Sequence, residues 1–109
     1  MNERKRRIAE NEAIFRSVNE QIEKLGDPAD AARGQLEIVC ECGTTSCTDR
    51  ISIAREDFRR VRADPTLFAL KPGHDAPETE TVVERLDGSW VVRKDPGPPA
   101  RVAASLAER

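Results

Sequence analysis

Near the start of the chain, apolar residues recur at helical spacing. Between residues 3 and 25, Ile8, Phe15 and Ile22 stand seven apart, with Val18 and Leu25 at the companion positions. An a/d-like seam of this kind predicts one long amphipathic helix, interrupted by the polar Asn11. Gly26-Asp27-Pro28 ends it, because proline cannot continue a helix and disfavours helical backbone in the residue before it. At roughly 1.5 Å per residue, such a helix is longer than a small domain behind it needs. It either packs across that domain or offers part of its stripe to another chain. Ile8, Phe15, Val18, Ile22 and Leu25 are therefore candidate contacts for a protein partner or for self-association.

After a linker over 27–34 the period changes to two. Leu36 and Ile38 alternate with polar positions over 35–40, and Ile51 and Ile53 do so over 48–53, predicting the two strands of a hairpin. Residues 54–63 read as a helix capped by Ser52, ended by Asp64-Pro65, with Phe58 and Val61 facing inward. The apolar run 66–70 is an extended segment leading into a Lys71-Pro72-Gly73-His74 turn. Residues 79–86 and 89–94 flank Asp87-Gly88, a strong hairpin signal. Val82 or Val83, Trp90, and Val91 or Val92 supply its packing face, with Trp90 as hairpin support. Asp95-Pro96-Gly97-Pro98-Pro99 reads as a stiff spacer. Residues 100–108 form at most a weak helix, with Val102 and Leu106 its only sizeable apolar side chains, so a frayed tail is expected.

The candidate chemistry is concentrated in Cys40-Glu41-Cys42-Gly43-Thr44-Thr45-Ser46-Cys47, which holds all 3 cysteines, and in His74, the only histidine. Three thiols and one imidazole are the donor set of a tetrahedral Cys₃His zinc site. Gly43 frees the backbone to bend, and the small residues after it let the loop return Cys47 as a third thiolate. The C-x-C-x₄-C spacing is not a paired C-x₂-C pattern, so other readings stay open. Asp49, Asp75 or a water can replace His74 as fourth ligand. The cysteines can be ordinary core thiols, a redox pair of Cys40 with Cys42 or Cys47, or iron–sulfur ligands. Their odd number argues against a purely disulfide framework.

Composition narrows the rest. In 109 residues only 4% are aromatic, so the core must rest on Val, Ile, Leu and 3 Phe. A core segment of about 60 residues is marginal unaided, which favours a metal staple. A net charge of −2 provides no basic field for nucleic acid. That reading rests on Arg4-Lys5-Arg6-Arg7 and on Arg55, Arg59 and Arg62, a candidate anion-binding stripe partly neutralised by Glu56 and Asp57. No stretch suits a membrane span or signal peptide, and free thiols without an export signal point to the cytoplasm. One histidine, no glycine-rich phosphate loop and no spaced carboxylate pair argue against an enzyme; Cys47 with His74 as nucleophile and base is less simple than metal ligation.

The expected fold class is α+β. A long N-terminal helix (1–26) precedes a small zinc-stapled domain of β-hairpins and one short helix (35–94), then a Pro-rich flexible tail (95–109). The expected function is a non-enzymatic zinc-binding interaction or regulatory module; a thiol redox sensor and a nucleic-acid-binding accessory protein are the alternatives.

The helix Asn11-Glu12-Ala13-Ile14-Phe15-Arg16-x-x-Asn19-Glu20-x-Ile22-Glu23, the C-x-C-x₄-C loop, and the Pro-Gly-His turn followed by Val-Val-Glu-Arg together carry a resemblance. They are similar to a group of short bacterial proteins that carry no assigned activity. The resemblance covers most of residues 8–94. It implies only that helix, thiols and His74 belong to one recurring design.

Overall fold

A computed structural model describes residues 3–26, 33–44 and 46–107. Most of the linker read over 27–34, Thr45 of the cysteine loop and the last two tail residues lie outside these. The elements are α1 (Glu3–Leu25), β1 (Gln35–Val39), β2 (Arg50–Ala54), α2 (Arg55–Arg62), β3 (Leu67–Leu70), β4 (Glu80–Leu86), β5 (Ser89–Lys94) and α3 (Pro98–Ala107). The fold is α+β, with two small antiparallel sheets, β1-β2 and β3-β5-β4.

Alternation builds the first sheet as the sequence predicts. Leu36 pairs with Ile53 and Ile38 with Ile51, and all four bury one face against Phe58 and Ala69. In the second sheet Leu86 pairs with Ser89 across Asp87-Gly88, where Gly88 takes φ 82, a left-handed conformation that glycine adopts without strain. Strand β3 is buried along its whole length and pairs with β5. Trp90 on β5 sits opposite Leu70, half-buried, and packs against a cluster formed by Cys40, Cys42, Phe68, Leu70, Val92 and Ala103. The Glu41 N–H donates to Ala69 O at 2.9 Å, so the cysteine segment runs alongside β3.

Three local expectations are corrected. Ser52 does not cap α2: β2 runs on to Ala54, which takes the N-cap position, and Ser52 Oγ instead donates to Gln35 Oε1 at 3.2 Å. The tail is not frayed over residues 98–107. It forms α3, which starts on proline, whose missing N–H costs nothing in a first turn. Its alanines favour helix and allow close approach: Ala103 is buried, and Arg16 Nη2 donates to its carbonyl at 3.2 Å.

The third correction concerns α1. Its buried residues are Ala9, Glu12, Arg16 and Asn19, not the a/d seam. Of the seam, Ile8, Phe15 and Ile22 are half-buried, while Val18 is 41% and Leu25 81% exposed; Ile14 is 58% exposed. Polar side chains can occupy such a face only with partners. Glu12 meets Lys94 Nζ at 2.5 Å, and the same ammonium meets Glu80 at 2.8 Å. Arg16 donates to Pro65 O at 2.7 Å and lies 4.8 Å from the Phe68 ring centroid. Asn19 is taken up with β1, as described next.

Candidate metal centre

Where β1 ends, the Cys40 N–H donates to Asp49 O at 2.9 Å, extending the hairpin by one more bond. Alternation through the extended stretch then turns Cys40 and Cys42 one way and Glu41 the other. The loop closes with the Cys47 N–H on Thr44 O at 3.0 Å, returning the third thiol toward the first two. The turn after β3 is held by the His74 N–H on Lys71 O at 3.0 Å, with Gly73 at φ 87. These three segments bring one donor atom each from Cys40, Cys42, Cys47 and His74 within 4.8 Å of one another.

That group can hold a metal ion. His74 Nδ1 stands 3.6 Å from Cys40 Sγ and 3.6 Å from Cys47 Sγ. Cys40 and Cys42 are buried and Cys47 and His74 half-buried, and all three cysteines are free thiols. The Lys71 N–H donates to Cys40 Sγ at 3.1 Å, the kind of backbone donor that supports a ligating thiolate. Asp49, one alternative ligand, is not among the four. Its Oδ2 lies 3.8 Å from His74 Nε2, 3.9 Å from Cys47 Sγ and 3.4 Å from Lys71 Nζ. A polar cleft of about 480 Å³ opens on the Cys47 and His74 side, bordered by Thr44, Ser46, Asp49 and Asp75.

The thiols are electrostatically interdependent. A hydrogen bond from Cys40, helped by the Thr44 N–H, His74 and Cys47, pulls Cys42 down to about 4 against the effect of burial. Cys40 is pushed up because it shares its proton with Cys42 and is buried; Cys47 is pushed up mainly by burial. The protein alone thus stabilises one thiolate.

The other candidate residues fare differently. Arg55, Arg59 and Arg62 do line one face of α2; Arg55 and Arg62 turn toward the protein, while the Arg59 side chain is exposed. Arg62, its side chain only 11% exposed, donates to Glu41 Oε1 at 3.0 Å and Leu67 O at 2.9 Å. Arg55 and Arg59 reach Glu23 of α1 at 3.8 and 3.9 Å. Each of the three thus faces a carboxylate of the protein's own, Glu41 for Arg62 and Glu23 for Arg55 and Arg59. Ile8 is also engaged internally, against Gly43. A shallow apolar groove of about 400 Å³ runs along α1 past Val18, Gln21, Ile22 and Leu25.

Sequence reasoning missed Glu41, Asn19, Glu12, Glu80 and Lys94, all buried and polar. Hydropathy assigns each to solvent. For Glu41 a signal existed, since residue x of a C-x-C strand must face away from the donors.

No protein-family profile matches the chain, and no curated protein or solved structure matches it significantly. Among the described residues, no helix is long and apolar enough to cross a membrane.

Proposed function

We propose that this protein is a non-enzymatic, zinc-binding interaction or regulatory module in which the metal is structural and α1 carries the partner contact. One observation supports zinc above all. Tetrahedral zinc with Zn–S of about 2.3 Å and Zn–N of about 2.0–2.1 Å requires a sulfur–nitrogen edge of about 3.6 Å. Two of the three Sγ–Nδ1 separations in the cluster, those of Cys40 and Cys47, are 3.6 Å. Four protein donors fill a tetrahedron, the closed arrangement of structural sites, and leave no coordination position for a substrate. Cys40, Cys42, Cys47 and His74 are the ligands. The partner surface is the outer stripe of α1: Ile14, Val18, Ile22 and Leu25.

Elemental analysis of protein purified without added zinc, with a free-thiol count, tests the metal. One zinc per chain with three protected thiols is expected; a metal-free chain with three reactive thiols refutes it. Val18→Ser with Leu25→Ser should leave zinc content unchanged and abolish association in pull-down or sedimentation. Unaltered association would remove α1 as the contact.

The thiol-sensor reading draws on a different observation. Cys47 is half-buried at the edge of an open polar cleft, so one thiol is reachable from solution. Mass spectrometry under mild peroxide should then find Cys47 oxidised before Cys40 and Cys42.

A further inference from the structure

The short segment that supplies two donors also anchors α1, and the two tasks fall on alternate residues. Cys40 and Cys42 face the site. Val39, Glu41 and Gly43 are held by the helix. Asn19 forms a two-bond ring with Val39: its Nδ2 donates to Val39 O and the Val39 N–H donates to its Oδ1, each at 2.8 Å. The same Nδ2 donates to Glu41 Oε2 at 2.8 Å. Nearer the start of α1, Asn11 Nδ2 donates to Gly43 O at 3.1 Å, and Ile8 packs directly on Gly43. Glu41 is completely buried, and its other oxygen accepts from the Ala69 N–H at 2.8 Å and Arg62 Nη2 at 3.0 Å.

We infer that metal occupancy and docking of α1 are thermodynamically linked through this ledge, with Asn19 and Glu41 as positioning residues. The inference rests on the zinc reading above. A bound ion fixes the backbone of 39–43, and that backbone is what α1 recognises. In return, the docked helix holds Cys40 and Cys42 in ligating register before the ion arrives. The chemistry of the contact makes the link sharp. An apolar face tolerates sliding, whereas hydrogen bonds weaken steeply with angle and are absent at 3.6 Å. The ledge is gripped by Asn19 and Asn11 through such bonds, so a small shift of it disengages them. Withdrawing the metal therefore loosens α1 along the ledge. Linkage is reciprocal: the factor by which zinc favours docking is the factor by which docking favours zinc.

The test uses the full chain. Zinc affinity is measured by chelator competition for wild type, Asn19→Ala and Ser17→Ala, the last altering only an exposed position of α1. Hydrogen exchange is compared for zinc-loaded and chelator-stripped wild type. Asn19→Ala should weaken zinc binding about 10- to 100-fold, the range for groups that orient ligands, with Ser17→Ala within about twofold of wild type. Stripping should speed exchange across residues 8–22 while the β4–β5 hairpin stays protected. The linkage is overturned by wild-type affinity in Asn19→Ala, by α1 exchange indifferent to zinc, or by loss of protection throughout the chain. If Asn19→Ala does not fold, the wild-type exchange comparison decides alone. A wild type that takes no zinc refutes the metal reading and this linkage together; zinc binding with α1 unaffected refutes the linkage alone.

Discussion

Replacing Gly43 by alanine isolates the contact between the cysteine loop and α1. Gly43 is not among the glycines with positive φ, so its backbone accepts an L side chain without strain. The obstacle is the neighbour. A Cβ at this position would run into Ile8 Cγ2, and would also stand 2.9 Å from Ile8 O and 3.0 Å from Ile8 Cα. Carbon contacts are comfortable at about 3.5–4.0 Å, so relief requires main-chain movement of several tenths of an ångström. Rotating the Ile8 side chain removes only the first clash. Forcing a methyl into such a place costs about 1–3 kcal/mol. With an unfolding entropy of about 2.1 cal/mol/K per residue over 109 residues, the melting midpoint should fall by about 4–13 °C.

The assay is thermal and urea unfolding of the protein as purified, followed by far-UV circular dichroism. Ile8→Ala in the Gly43→Ala background deletes Cγ2 but leaves the backbone oxygen and Cα in place. Rescue should therefore be partial, with a coupling energy of about 0.5–1 kcal/mol in the double-mutant cycle. A Gly43→Ala protein within about 0.5 kcal/mol of wild type would show that helix and loop are not in close contact. Complete rescue by Ile8→Ala would locate the obstacle in the side chain and refute the backbone argument.

Two further outcomes follow from the buried charges. Burial, and then Glu80 beside it, holds the Glu12 carboxyl well above the usual carboxylate value of 4.5, so on its account the fold is most stable below that pH and loses stability as pH rises through the folded value. Glu12→Gln keeps the shape without the titration. The difference between wild-type and variant urea midpoints should grow in the variant's favour from pH 4.5 toward 8, and a constant difference would refute the raised Glu12 carboxyl. Arg62→Ala strips Glu41 of its ionic partner inside the protein and should cost about 3–5 kcal/mol in urea unfolding. A loss under about 1 kcal/mol would mean that water reaches Glu41.

What could be read from the sequence was whatever buries apolar atoms in a regular period or carries distinctive chemistry. The β1–β2 and β4–β5 hairpins follow from alternation and from Asp87-Gly88, and the convergence of the thiols with His74 follows from donor type. The docking of α1 was not legible. Ile8, Phe15 and Ile22 suggested one seam, but the helix turns Glu12, Arg16 and Asn19 inward because Lys94, the carbonyls of Pro65 and Ala103, and Val39 wait for them. Those partners lie far along the chain, and no local pattern records them. Arg62 was misread for the same reason, since its acceptor Glu41 belongs to the cysteine segment. The docked α3 escaped notice because its contact is made by alanine, which hydropathy weights lightly.

Trp90 has an optical consequence. It is the single tryptophan of a chain without tyrosine, so near-ultraviolet excitation has one dominant emitter. The Arg85 guanidinium covers its ring at 4.8 Å, and its inner side packs on the cluster containing Cys40 and Cys42. The native chain therefore carries its own fluorophore against the core cluster that contains two of the thiols. A titration with a quenching ion such as cobalt reads occupancy of the site directly from that emission, with no label attached and no residue exchanged.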